Sequence, residues 1–154
     1  AVRRNGPDVL SPRVKSCNYL NNILAKIEAN NAGCSEALML DQNGFVVECT
    51  GDNIFMVKKG VIYTRTVQSD NLSGITRQAV WDIAQKLGIP FKEGVLTRYD
   101  FWIADEAFLT GTAAELVAVT EIDARQIGDG KPGPVTQKIL EAYRGVVTKD
   151  GTML

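Results

Sequence analysis

The chain has 154 residues, enough for one domain with a sizeable core, and its 45% apolar and 23% charged residues are those of an ordinary water-soluble protein, neither disordered nor fibrous. Seventeen basic against 18 acidic residues leave a net charge of -1, which argues against a nucleic-acid partner, and no apolar run approaches the roughly 20 residues that span a bilayer. Histidine is absent, which excludes Ser-His-Asp and Cys-His catalysis and histidine-ligated zinc; no metal site is expected, and lysine, carboxylates, tyrosine and backbone dipoles remain as chemical tools.

Residues 1–14 read as an extended, polar leading segment with Pro7 and Pro12, whose Arg3 and Arg4 are available for surface or phosphate contacts; no signal peptide is expected. Tyr19, Leu20, Ile23, Leu24 and Ile27 recur at helical spacing and predict an amphipathic helix over 18–32, stopped by Gly33. Strands over 37–40 and 45–49 flank the turn Asp41-Gln42-Asn43-Gly44, and strands over 54–57 and 61–64 flank Lys58-Lys59-Gly60. The front half is therefore a helix packed on antiparallel strands, and the class is α+β. A second helix over 76–87 presents Ala79, Val80, Ile83, Ala84 and Leu87 on one face and ends at Gly88 and Pro90. A strand over 91–96, a helical turn over 99–104, a buried strand over 107–110 and a further strand over 116–122 follow. The last helix begins near Pro134 and carries Val135, Ile139, Tyr143 and Val146. No internal repeat interrupts the chain, so residues 1–154 are read as a single domain. Cys17, Cys34 and Cys49 are odd in number and lack C-x-x-C spacing, which suits free thiols in a reducing compartment, the cytoplasm.

Lys15 opens the run Lys15-Ser16-Cys17-Asn18-Tyr19-Leu20, and 33 residues later Glu48 stands in the otherwise apolar strand pattern Phe45-Val46-Val47-Glu48-Cys49. A lysine amine can hold an aldehyde cofactor as a Schiff base, and a buried carboxylate can keep a pyridine nitrogen protonated, so the pair points to pyridoxal phosphate chemistry. Burial at the start of the helix would lower the Lys15 pKa, and Tyr19, four residues on, would share its helical face and reach the cofactor's phenolic oxygen. The plainer alternatives are a solvated lysine, a core tyrosine and, for Glu48, an ion pair with a lysine or arginine. Asn71-Leu72-Ser73-Gly74-Ile75-Thr76-Arg77 runs a glycine turn into a helix, whose free N–H groups and dipole suit a phosphate; simple capping gives the same pattern. Leu109-Thr110-Gly111-Thr112-Ala113-Ala114-Glu115 ends a buried strand in small residues whose backbone can donate to phosphate or carboxylate, or can pack as a close turn.

These stretches, in their order and separation, closely resemble the branched-chain amino acid aminotransferase family of fold-type IV pyridoxal phosphate enzymes, over nearly the whole chain. The resemblance implies antiparallel-rich sheets or a pseudo-barrel packed with helices, and amino transfer between branched-chain L-amino acids and 2-oxoglutarate. It further implies that Lys15 carries pyridoxal 5'-phosphate and is catalytic, that Tyr19 bonds its phenolic oxygen and Glu48 its pyridine nitrogen, and that Ile75, Thr76 and Thr112 hold its phosphate. The backbone of Thr112 and Ala113 would take the substrate carboxylate. Amino acids and 2-oxo acids are the implied small-molecule partners, and a homo-oligomer, dimer or larger, the implied assembly. Family members carry an N-terminal small domain, whereas this chain begins 14 residues before Lys15, so it resembles the large, cofactor-binding domain alone. A non-catalytic scaffold or partner-binding remnant is one alternative, and D-amino acid aminotransferase or aminodeoxychorismate lyase chemistry is the other.

Overall fold

The computed structural model describes residues 2–67 and 70–147. Its centre is a five-stranded sheet in the order β5-β4-β3-β6-β7, built from β3 (Asn53–Lys58), β4 (Val61–Arg65), β5 (Phe91–Gly94), β6 (Glu106–Gly111) and β7 (Glu115–Val119). All pairs are antiparallel except β4 with β5, which is parallel because the helix α3 (Ile75–Lys86) carries the chain back across the sheet between them. Two small hairpins accompany the sheet: β1 (Leu38–Leu40) with β2 (Val46–Cys49), and β8 (Glu121–Ile122) with β9 (Arg125–Gln126). The α+β class and the antiparallel-rich sheet agree with expectation. The strand expected over 116–122 is interrupted at Thr120, where the chain leaves the sheet edge to form β8.

Alternation along β3 and β6 sends side chains into two cores. Phe55 and Phe108, stacked at 4.8 Å, face one side and pack with Val80, Ile83 and Ala84 of α3 and Ile139 and Tyr143 of α5 (Pro134–Val147). Ile54, Met56, Ala107 and Leu109 face the other side and meet Val46 and Cys49 of β2, Phe101 of α4 (Arg98–Trp102) and Ile122 of β8. The turn between β3 and β4 places both Lys59 (φ 50) and Gly60 (φ 74) in the left-handed region, the geometry that matches the twist of a two-residue hairpin.

The leading segment differs from the extended chain expected: after Val2 it carries a short helix α1 (Pro7–Leu10) and a 3-10 turn over Pro12–Val14, each opened by its proline; residue 1 lies outside the described residues. Arg4 also departs from a solvated arginine, being 6% exposed. The helix α2 (Leu20–Asn31) forms where its periodicity predicts, but with the opposite face inward. Asn22, Ala25 and Ala29 are its buried residues, while Leu20, Ile23, Leu24 and Ile27 are 47 to 63% exposed. Among the described residues no helix is long and apolar enough to cross a membrane.

Candidate active site

The 3-10 turn over Pro12–Val14 ends at Lys15, whose N–H donates to the Pro12 carbonyl (3.1 Å) and whose backbone is left-handed (φ 48). Cys17 is left-handed as well (φ 62), so the chain doubles back before α2 begins, and two non-glycine residues accept a conformation that costs each roughly 1–2 kcal/mol. That double kink brings the Lys15 amine to the Tyr19 hydroxyl, where Nζ donates over 3.1 Å. The expected meeting of the two side chains occurs, but not on a shared helical face, since α2 starts only at Leu20. Lys15 is exposed rather than buried, and the hydrogen bond to Tyr19 holds its pKa above the ordinary lysine value, the reverse of the lowering expected from burial.

Glu48, 4% exposed on β2, receives three donors. Arg4 Nη2 donates to Oε1 (2.7 Å), and Asn53 Nδ2 (3.0 Å) and the Leu72 N–H (2.9 Å) donate to Oε2. Arg4 is fixed in turn by Asn22 on the inner face of α2, whose Oδ1 accepts from Nη1 at 2.5 Å and whose Nδ2 donates to the Thr50 carbonyl (2.6 Å). Glu48 thus has a cation within the chain, the ion-pair alternative left open by its sequence. Burial pushes its carboxyl above the usual range, and Arg4 works against that shift. With about four acceptor positions on a carboxylate and three occupied, one position remains.

Lys15, Tyr19, Glu48, Ile75, Thr76 and Thr112 all line one cavity of about 690 Å³. Ile75 and Thr76 open α3, whose N-cap Gly74 contributes no side-chain hydrogen bond, and among the described residues no side-chain cap is seen on the first N–H groups of this helix. A Cβ at Gly74 would run into Asn53 Oδ1, which explains why this turn demands glycine. Thr110, at the end of β6, also lines the cavity; it is 2% exposed, and its hydroxyl has no hydrogen-bond partner among the described residues. Of the residues singled out from the sequence, Ala113 alone stays outside the cavity wall, exposed on the turn that follows Thr112.

Asn53 and Thr110 escaped the sequence reading as site residues, and Arg4, available there for surface or phosphate contacts, pairs with Glu48 instead. Asn53 and Thr110 lay inside the motifs quoted for other residues, while the pairing of Arg4 with Glu48 spans 44 positions and carries no local signal.

Residues 1–122 match the amino-transferase class IV family. A putative branched-chain-amino-acid aminotransferase of Methanocaldococcus jannaschii is 53% identical over 151 residues, covering 98% of this chain and 52% of that protein. The branched-chain-amino-acid aminotransferase of Escherichia coli K12 is 42% identical, covering 94% of this chain and 47% of its own length. Among solved structures, a T.th. branched-chain amino acid aminotransferase complexed with N-(5'-phosphopyridoxyl)-L-glutamate superposes with a TM-score of 0.93 at 45% identity, over 96% of this chain and 50% of that one. The fold is accordingly that of the fold-type IV branched-chain aminotransferases. The chain spans about half the length of the relatives it matches.

Proposed function

The chain belongs to the amino-transferase class IV family, and from that premise we propose that residues 1–154 form the pyridoxal-phosphate-binding domain of a branched-chain aminotransferase that moves the amino group between branched-chain L-amino acids and 2-oxoglutarate. The observation that carries this reading is the meeting of the Lys15–Tyr19 pair, the Glu48 carboxylate and the uncapped start of α3 in one cavity.

The residues present fit the cofactor. The cavity has the size of a small-molecule site, Glu48 retains an acceptor position for a ring N–H, and the α3 N-terminus is matched to a phosphate. When bound, pyridoxal phosphate supplies an aldehyde that takes up the amino group and a protonated ring that withdraws the electron pair released at the substrate α-carbon.

In this reading Lys15 Nζ would hold the cofactor and would take the proton that leaves the substrate α-carbon. Tyr19, already bonded to Lys15 Nζ, orients that amine and reaches the cofactor's phenolic oxygen. Glu48 supplies the counter-charge that keeps the pyridine nitrogen protonated, and Arg4, Asn53 and the Leu72 N–H fix its direction. The N–H groups of Ile75 and Thr76, with Thr112, would hold the phosphate, and the backbone of Thr112 and Ala113 would take the substrate carboxylate. The unpaired Cys17, Cys34 and Cys49 suit a reducing cytoplasm, and the outward apolar face of α2 suits a homo-oligomer, a dimer or larger.

Borohydride reduction of the purified protein with pyridoxal phosphate, followed by peptide mass spectrometry, tests the reading. One equivalent of label on Lys15, absent from Lys15→Ala, is the expected result. Label scattered over many lysines, or persisting in Lys15→Ala, would remove Lys15 from the site and the reading with it.

A further inference from the structure

We infer that Asn22 is a positioning residue for the cofactor's ring: it holds the Arg4 guanidinium against Glu48 and so keeps that carboxylate ionised for the ring nitrogen. This rests on the pyridoxal phosphate reading above. The backbone around Arg4 is fixed without Asn22. Asn21 accepts from the Asn5 N–H (3.2 Å) and donates to the Arg3 carbonyl (2.8 Å), and the Arg4 N–H donates to the Leu40 carbonyl (2.9 Å). These bonds leave the Arg4 side chain to be held by its own contacts. Its guanidinium bonds Glu48 through Nη2 (2.7 Å) and Asn22 through Nη1 (2.5 Å), while Nε has no partner among the described residues. Two contacts set the plane of a rigid fork, whereas Glu48 alone would leave it free to turn.

Asn22, 7% exposed on the inner face of α2, is itself tied at both ends, since its Nδ2 donates to the Thr50 carbonyl (2.6 Å), two residues beyond Glu48. A guanidinium only donates and a carbonyl only accepts, so the two ends of the amide cannot exchange places. The amide is also neutral. A carboxylate at this position would share the Arg4 charge with Glu48, whereas an amide orients the cation and leaves its charge to Glu48. Glu48 needs that charge, because burial and the nearby Asp70 both favour its protonated form and Arg4 opposes them. Without Asn22, Nη1 becomes a buried donor with no acceptor, and the guanidinium gains by turning from Glu48 toward the cavity that Arg4, Asn22 and Glu48 all line.

The test uses the intact protein carrying this chain, saturated with pyridoxal phosphate labelled with 15N in its ring, whose nitrogen chemical shift separates a protonated from an unprotonated ring. Wild type should read as protonated. In Asn22→Leu, which keeps the branched shape without the polar atoms, the ratio of protonated to unprotonated ring should fall about tenfold, the size of one hydrogen bond to a charged group. Glu106→Ala, destabilised at the start of α5 and outside the cavity lining, should keep the wild-type shift, so that lost stability by itself is not what moves it. A wild-type shift in folded Asn22→Leu overturns the inference, and so does an equal change in Glu106→Ala. Should Asn22→Leu fail to fold by circular dichroism, Asn22→Ala, which suits a helix and removes the same two bonds, gives the same comparison. Wild type that binds no pyridoxal phosphate, or holds it with an unprotonated ring, defeats the parent reading as well, whereas a protonated ring in both wild type and Asn22→Leu defeats this inference alone.

Discussion

Arg4 and Glu48 meet at 2.7 Å with 7% and 5% of their side chains exposed, so each is the other's main compensation for leaving water. Replacing Arg4 with Met leaves the carboxylate buried beside two neutral donors, and breaking such a pair costs about 3–5 kcal/mol. The pH dependence follows from the direction of the Glu48 shift. Burial already raises its folded pKa, with Arg4 opposing, and loss of Arg4 raises it further. A carboxyl with a raised folded pKa favours the folded state below its unfolded value and loses that contribution as pH climbs through the folded value. The stability deficit of Arg4→Met should therefore be small in acid, where Glu48 is protonated, and grow to its full size above the raised value. Urea denaturation across pH measures it; a deficit that does not change with pH would show that the Glu48 charge is not what Arg4 compensates. Glu48 was legible as a site residue because a carboxylate in an apolar strand pattern needs a reason, whereas Arg4 looked like any arginine of a polar leading segment. Its burial depends on Asn22 and Glu48, which reach it from other elements.

The helices α3, α4 and α5 differ in how their N-termini are satisfied. α4 has a complete capping box, with Thr97 and Asp100 bonding each other's backbone, and α5 is held by Glu106, which accepts from the Val135 N–H (3.0 Å), the Thr136 N–H (2.7 Å) and the Thr136 hydroxyl (2.7 Å). Among the described residues α3 has no such side chain at its N-cap, which is Gly74. Glu106→Ala should cost about 1–3 kcal/mol of unfolding free energy, since it strands buried donors, and Glu106→Gln should cost less because it keeps an acceptor. Equal stability of Glu106→Ala and wild type in urea denaturation would mean that these donors find another partner. Glycine turns, prolines and apolar spacing made α3 and α5 readable within a residue or two, because those signals act within one turn of helix. The same spacing misplaced the face of α2. Periodicity reports that a stripe is apolar, not what covers it, and here the small Ala25 and Ala29 let the helix lie close on its inner side while Asn22 meets Arg4.

On the scale of the whole molecule, Leu20, Ile23, Leu24 and Ile27 form one outward stripe along α2 that the described residues leave uncovered. If a second copy covers it, as the homo-oligomer proposal requires, Leu24→Asp and Ile27→Asp should lower the mass seen by sedimentation equilibrium while the fold, read by circular dichroism, persists. Unchanged mass in both variants would assign the stripe to another part of the same protein. The sequence by itself determined the α+β class, the positions of nearly all the helices and strands, the family, and a set of polar residues that converge on one cavity, because local periodicity, turn chemistry and motif order act over short stretches of chain. Tertiary structure alone decided that Lys15 reaches Tyr19 through two left-handed residues, that Arg4 neutralises Glu48, that the start of α3 lines the same cavity as both pairs, and that the apolar side of α2 faces outward. Each of these depends on which distant groups share a buried volume, and a pairing across tens of residues leaves no periodic trace in the chain.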